Sequence, residues 1–132
     1  MECQHEKIAG RKIVLVVEDD LDVREVTGHL LTQLGFEVKN ADHASAALTL
    51  LDGGEQVDLL FADVGLPSGM NGAELVTEVR RRLPDLKSLV VTAYDEKALR
   101  AYGAYATGAN ILNKPYGKEQ LATAIEACMS KI

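Results

Sequence analysis

No stretch of this sequence approaches the roughly 20 consecutive apolar residues that a membrane-crossing helix needs, so no membrane contact is expected. The first twelve residues mix charges of both signs and lack the apolar centre of a secretory leader. Cysteine is scarce: Cys3 and Cys128 stand at opposite ends of the chain, with no metal-ligand spacing. Cys128 lies among apolar residues and reads as a small buried hydrophobe, Cys3 as a tail residue, and a reducing cytoplasmic setting is the expectation. Positive charge is in deficit, 14 Lys and Arg against 20 Asp and Glu, and the net charge of −6 disfavours direct binding to nucleic acid or anionic lipid. There is no internal repeat, no low-complexity linker and, at 132 residues, too little chain for two cores. The balance that remains, 47% apolar and 26% charged, is that of one globular domain.

Five short apolar runs punctuate the chain, at 13–17, 36–38, 57–62, 88–92 and 110–113. The first, third and fourth are dense in Val, Leu and Ile without polar alternation, as strands covered on both faces are. Helical stripes lie between them. Val23, Val26, Leu30, Leu31 and Leu34 form one, closed by Gly35; Ala44, Ala47, Leu48 and Leu51 form another, ending at Gly53 and Gly54. Leu75, Val76, Val79 and Leu83 form a third, stopped by Pro84, and Leu121, Ile125 and Cys128 the last. Residues 95–108 carry the poorest stripe, with Leu99 as the one strong aliphatic anchor, and are expected to be a short helix that opens at little cost. Strand and helix alternating five times imply an α/β fold, (βα)5 and doubly wound. Its five-stranded parallel sheet is expected in the flavodoxin-like order 2-1-3-4-5, with the ligand crevice at the carboxyl ends of strands 1 and 3.

Those carboxyl ends hold the chain's chemistry. The first run ends in Glu18, Asp19 and Asp20, the third in Asp63, the fourth in Thr92 and the fifth in Lys114. Clustered carboxylates repel one another, and a hard divalent cation such as Mg²⁺ or Mn²⁺ relieves them. A cation, an ammonium and a hydroxyl around one carboxylate are the parts that phosphoryl transfer to an aspartate needs. Singly, each residue has a blander reading: Asp20 or Asp22 as a helix N-cap, Asp63 as a turn former before a glycine-rich loop. Their joint occurrence, in order, at four strand ends carries the weight.

Four motifs then resemble those of response-regulator receivers of two-component signalling. VLVVEDD over 14–20 is similar to the first strand and acidic pair, DVGLP over 63–67 to the phosphoacceptor loop, VTA over 91–93 to the hydroxyl motif, and NKPY over 113–116 to the lysine motif. The likeness implies a receiver domain over 12–132 after an N-terminal tail, 1–11. It implies Asp63 as phosphoacceptor, Thr92 and Lys114 as phosphoryl contacts, and a Mg²⁺ site from Glu18, Asp19, Asp63 and the carbonyl of Gly65, with Asp19 the favoured direct ligand. A cis bond between Lys114 and Pro115 is also implied. Phosphate would come from a histidine kinase or a histidine phosphotransfer protein, and the output would pass to a downstream protein target. Such a chain is not an enzyme on outside substrates; it catalyses only its own phosphorylation and dephosphorylation.

Some residues depart from the pattern. Ile111 stands where many receivers carry a Tyr or Phe that swings inward on activation, and a β-branched aliphatic has no hydroxyl and a stiff χ1. Residues 95–108 are the expected moving part instead. The loop 66–72 is one residue longer than the commonest form and resembles receivers attached to hybrid histidine kinases. Tyr94, two positions beyond Thr92, falls beside the expected path of attacking water or flat on the surface. No DNA-binding segment follows the last helix, so the expectation is output through protein contacts, or one receiver cut from a longer chain. A dehalogenase-like phosphatase would want an acid two residues after Asp63, where Gly65 stands. In an FMN carrier, Glu18, Asp19 and Asp20 would repel the flavin phosphate. A degenerate receiver that binds without phosphate would not be expected to keep Glu18, Asp19, Asp63, Thr92 and Lys114 together.

Overall fold

The computed structural model describes residues 11–66, 69–93 and 110–129. Along them run β1 (Ile13–Val17), α1 (Leu21–Gln33), β2 (Glu37–Ala41), α2 (Ala44–Asp52), β3 (Leu59–Asp63), α3 (Gly72–Arg82), β4 (Lys87–Thr92), β5 (Asn110–Asn113) and α4 (Lys118–Met129). Residues 1–10, Tyr94 and the short helix expected over 95–108 lie outside the described residues.

The sheet is parallel throughout, in the order β2-β1-β3-β4-β5. Each inner strand alternates its side chains between two apolar layers, which is why these strands read as unbroken aliphatic runs. Leu15, Val17, Leu60, Ala62 and Val90 pack with Ala47, Leu51, Leu75, Val76 and Val79 of α2 and α3 on one face. Val14, Val16, Leu59, Phe61, Leu89 and Val91 pack with Leu31, Leu121, Ile125 and Cys128 of α1 and α4 on the other. Cys128 is buried, as its neighbours suggested.

β2 departs from its apolar run: it begins at Glu37 and extends through Lys39 and Asn40 to Ala41. As an edge strand it needs apolar residues on little of its length, and Lys39 Nζ reaches Glu55 at 2.6 Å. β3 starts at Leu59 rather than at 57, because the Asp58 carboxylate turns back to accept the Ile13 N–H at 2.8 Å. The α1 stripe is corrected at one position. Val26 is 61% exposed and Thr27 takes the inward place at 3%, its hydroxyl 3.0 Å from that of Tyr116. Leu83 is likewise outside the α3 stripe, 40% exposed at the helix end before Pro84. Asp20, not Asp22, caps α1, its Oδ1 accepting from the Val23 N–H at 3.1 Å. Gly35, at φ +97°, stops that helix in the left-handed conformation that glycine enters without penalty.

Because Leu31 is buried and Val26 is not, the two should answer differently to substitution. Leu31→Ala is expected to cost about 2–5 kcal/mol by cavity formation, and Val26→Lys no more than about 0.5 kcal/mol, in urea unfolding. Equal losses would return Val26 to the core.

Candidate functional site

Parallel register brings the four strand ends to one rim. Val17 pairs with Ala62, so Glu18 follows beside Asp63; Asp63 pairs with Val91, and Thr92 with Asn113, which precedes Lys114. Glu18 is 6% exposed. Its N–H donates to Ala41 O at 3.1 Å, its carbonyl accepts from Arg24 Nη1 at 2.8 Å, and its Oε2 accepts the Asp20 N–H at 3.2 Å. Asp63 Oδ1 accepts the Gly65 N–H at 2.8 Å, and Oδ2 accepts from Lys114 Nζ at 2.7 Å. Lys114 Nζ is also 3.6 Å from Glu18 Oε1. Its N–H donates to Thr92 O at 2.7 Å, and its bond to Pro115 is cis. Thr92 is fully buried at the end of β4, while Asp19 is exposed at the rim.

One ammonium serves two carboxylates here, and their titration divides accordingly. Burial, reinforced by a hydrogen bond to Asp63, pushes the Glu18 carboxyl up to about 7. Burial also opposes charge on Asp63, but hydrogen bonds from Glu18, Lys114 and Gly65 outweigh it and hold Asp63 below the usual carboxylate range. Burial works against the Lys114 charge too, yet Asp63 and Glu18 raise its pKa above the ordinary value. Asp63 therefore stays ionised, while Glu18 is held well above the usual carboxylate range.

A domain family model described as the response regulator receiver domain matches residues 14–126. The chain belongs to the response regulator receiver family. It is 31% identical over 115 residues to the response regulator receiver protein CpdR of Brucella abortus, covering 87% of this chain and 94% of that one. It is 33% identical over 126 residues to the sensor kinase CckA of the same species, covering 94% of this chain but 13% of the kinase. A solved structure of a putative response regulator from Chloroflexus aurantiacus superposes with a TM-score of 0.82 at 30% identity, covering 92% of this chain and 99% of the other. The chain spans 13–48% of the length of five of the curated relatives it matches.

The donor set of this receiver fits a hard cation. Glu18 and Asp63 bring two carboxylates to the crevice between β1 and β3, the hard oxygen donors that such a cation takes, with the Lys114 ammonium 2.7 Å from Asp63 beside them. Among the described residues no three acidic, histidine or cysteine side chains converge on one point, so an ion would need main-chain carbonyl or water oxygens as well. Ile111 is half-buried and packs against the α2 and α3 core layer.

Sequence reasoning missed two supports of the site. Arg24, half-buried, holds the Glu18 carbonyl from one turn into α1, and nothing in the local sequence pattern signalled it. Gly72 starts α3 pressed against the end of β3: a Cβ there would collide with Asp63 O and lie 2.6 Å from Asp63 C. The signal was available in Asn71-Gly-Ala-Glu74, since the Asn71 side chain accepts the Glu74 N–H at 2.8 Å and Glu74 Oε1 accepts the Asn71 N–H at 3.0 Å. That reciprocal cap locks the helix start in place, leaving no room for a side chain at 72.

Gly72→Ala is therefore expected to cost at least about 1–3 kcal/mol by overpacking against backbone that cannot yield. It should also shift the amide resonances of Val64 and Gly65 more than those of the β2 edge. A stable variant with an unmoved β3 end would refute the close approach.

Proposed function

We propose that this receiver is a phosphoacceptor, taking a phosphoryl group onto Asp63 from a histidine kinase or a histidine phosphotransfer protein in a Mg²⁺-dependent reaction. The observation that carries the reading is the Asp63 carboxylate held ionised at a rim crevice, 2.7 Å from Lys114. An Asp63 oxygen forms the bond to phosphorus as the phosphorus–nitrogen bond to the donor imidazole breaks, and the imidazole leaves with its electron pair and is protonated. Bound at Glu18, Asp19, Asp63 and the Gly65 carbonyl, Mg²⁺ would neutralise charge on the incoming group. Lys114, paired with Asp63 at 2.7 Å, would hold one phosphoryl oxygen as a point charge, and Thr92, at the end of β4 beside β3, would hold another. The Gly65 N–H fixes the Asp63 carboxylate so that it meets the phosphorus without first reorganising.

The chain turns over no outside substrate in this reading; its chemistry is confined to its own aspartate, and its output passes through protein contacts. The likeness to both a free receiver protein and a sensor kinase suits either a separate carrier or one unit of a longer relay.

Incubation with acetyl phosphate and Mg²⁺ should add one phosphoryl group by intact mass, and Asp63→Asn should take up none. Labelling that persists in the Asn variant would move the nucleophile elsewhere. Mg²⁺ should also raise the melting temperature: at a hundred times its Kd, a ligand of the native state alone contributes about 2.7 kcal/mol. Asp19→Ala should abolish most of that shift, and a variant retaining it in full would remove Asp19 from the metal site.

A further inference from the structure

Tyr116, two positions beyond Lys114, touches both other parts of the site, and none of the roles above uses it. Its ring meets Phe61 edge-on, with centroids 6.4 Å apart and planes at 72°, and Phe61 precedes Asp63 by two residues on β3. Its hydroxyl lies 3.0 Å from Thr27 Oγ1 on α1, the helix that begins directly after Glu18, Asp19 and Asp20. One side chain in the lysine turn is thus anchored to the strand that carries the nucleophile and to the helix that follows the acidic pair.

Among the described residues the turn has few other holds: its main-chain bonds are Lys114 N–H to Thr92 O at 2.7 Å and, one residue past Tyr116, Gly117 N–H to Gln120 Oε1 at 2.9 Å and Leu121 N–H to Gly117 O at 3.0 Å. The lysine stem has four flexible carbons, so the position of its ammonium depends on where the turn sits. An aromatic edge contact tolerates sliding, whereas a hydrogen bond between two hydroxyls fixes a distance. Thr27 is 3% exposed in a position where a helix packed on a sheet ordinarily places an aliphatic residue, and a hydroxyl buried there is costly unless bonded.

We propose that the Thr27–Tyr116 hydroxyl pair is a positioning device that fixes the Lys114 turn against α1 and so sets the ammonium over Asp63. Tyr116 touches no reacting atom; it acts through Lys114. The consequence for phosphorylation rate rests on the phosphoacceptor reading, whereas the placement of Lys114 does not.

The full-length chain carrying Tyr116→Phe, Thr27→Val, Thr27→Ser or the Tyr116→Phe/Thr27→Val pair would separate the two. Three quantities are read: the ¹H–¹⁵N signal of the Lys114 ammonium without metal, the rate of Asp63 phosphorylation by acetyl phosphate at saturating Mg²⁺, and the Mg²⁺ Kd. Tyr116→Phe and Thr27→Val should each shift or broaden the Lys114 signal, leave the Kd unchanged, and slow phosphorylation about two- to tenfold, the range set by one net hydrogen bond. The double variant should be no slower than either single one, since the pair acts as a unit, and Thr27→Ser should restore signal and rate. An unchanged Lys114 signal in Tyr116→Phe overturns the proposal, and so does a lowered melting temperature with signal and rate unmoved. A Lys114 signal that responds in a protein that takes no phosphate at all upholds the positioning role and overturns the phosphoacceptor reading instead.

Discussion

Lys114 sits 2.7 Å from Asp63 and 3.6 Å from Glu18, a single positive charge between two carboxylates that the sheet forces together. The nearer contact wins. Asp63 keeps its charge, while buried Glu18 is left with a share too small to hold it fully ionised. A rim in this condition has a standing attraction for further positive charge on the Glu18 side and an exposed Asp19 next to it. The same imbalance would pull the rim apart if the strands beneath could move. Their rigidity comes from the two aliphatic layers, in which β1 and β4 bury almost every side chain and β3 all but Asp63. A close-packed interior lets polar groups be held at separations they would not choose.

Topology explains why these residues and no others meet. In a parallel sheet every strand ends on the same side, so polar residues terminating aliphatic runs far apart in sequence arrive at one edge. The order 2-1-3-4-5 puts β1 and β3 side by side although α1, β2 and α2 separate them in the chain. α1, which follows β1, and α3, which follows β3, pack on opposite faces of the sheet, which opens the crevice between Glu18 and Asp63. Short side-chain and backbone bonds then finish the placement: Arg24 on the Glu18 carbonyl, Gly65 on the Asp63 carboxylate, and Asn71 with Glu74 pinning α3 beneath it.

The parts legible in the sequence were those where one physical demand dominated. β1 and β5 were bounded correctly because aliphatic runs ended abruptly in charged or polar residues, and the rim followed from those ends. β2 was misplaced because an edge strand is only partly buried, so its sequence need not look like a strand. Val26 and Thr27 were exchanged because hydrophobicity ranks valine as the inward residue, and the partner that satisfies the Thr27 hydroxyl lies 89 positions away. Gly72 was overlooked for a related reason: the capping pattern from Asn71 to Glu74 marks a helix start, but only the fold shows that this start lies against the end of β3. Long-range pairings of this kind are what a linear reading cannot see, and here they support the site.

These supports also limit how the site could respond to added charge. A phosphoryl group on Asp63 would draw on the same Lys114 that now serves two carboxylates, so any change must begin with the sharing of that ammonium. The ring swing used by many receivers is not available, since Ile111 is held against the α2 and α3 layer with a restricted χ1. Gly72 and its capped helix leave the Asp63 end of β3 no room to follow. Among the described residues, the ends of β4 and β5 are joined where the Lys114 N–H meets Thr92 O, so a displacement of either residue would be passed to the other. The lysine turn is in turn tethered to α1 through Tyr116. A charge change at Asp63 would therefore have a bonded route through Lys114 to the β4 end and, through one hydroxyl pair, to the first helix.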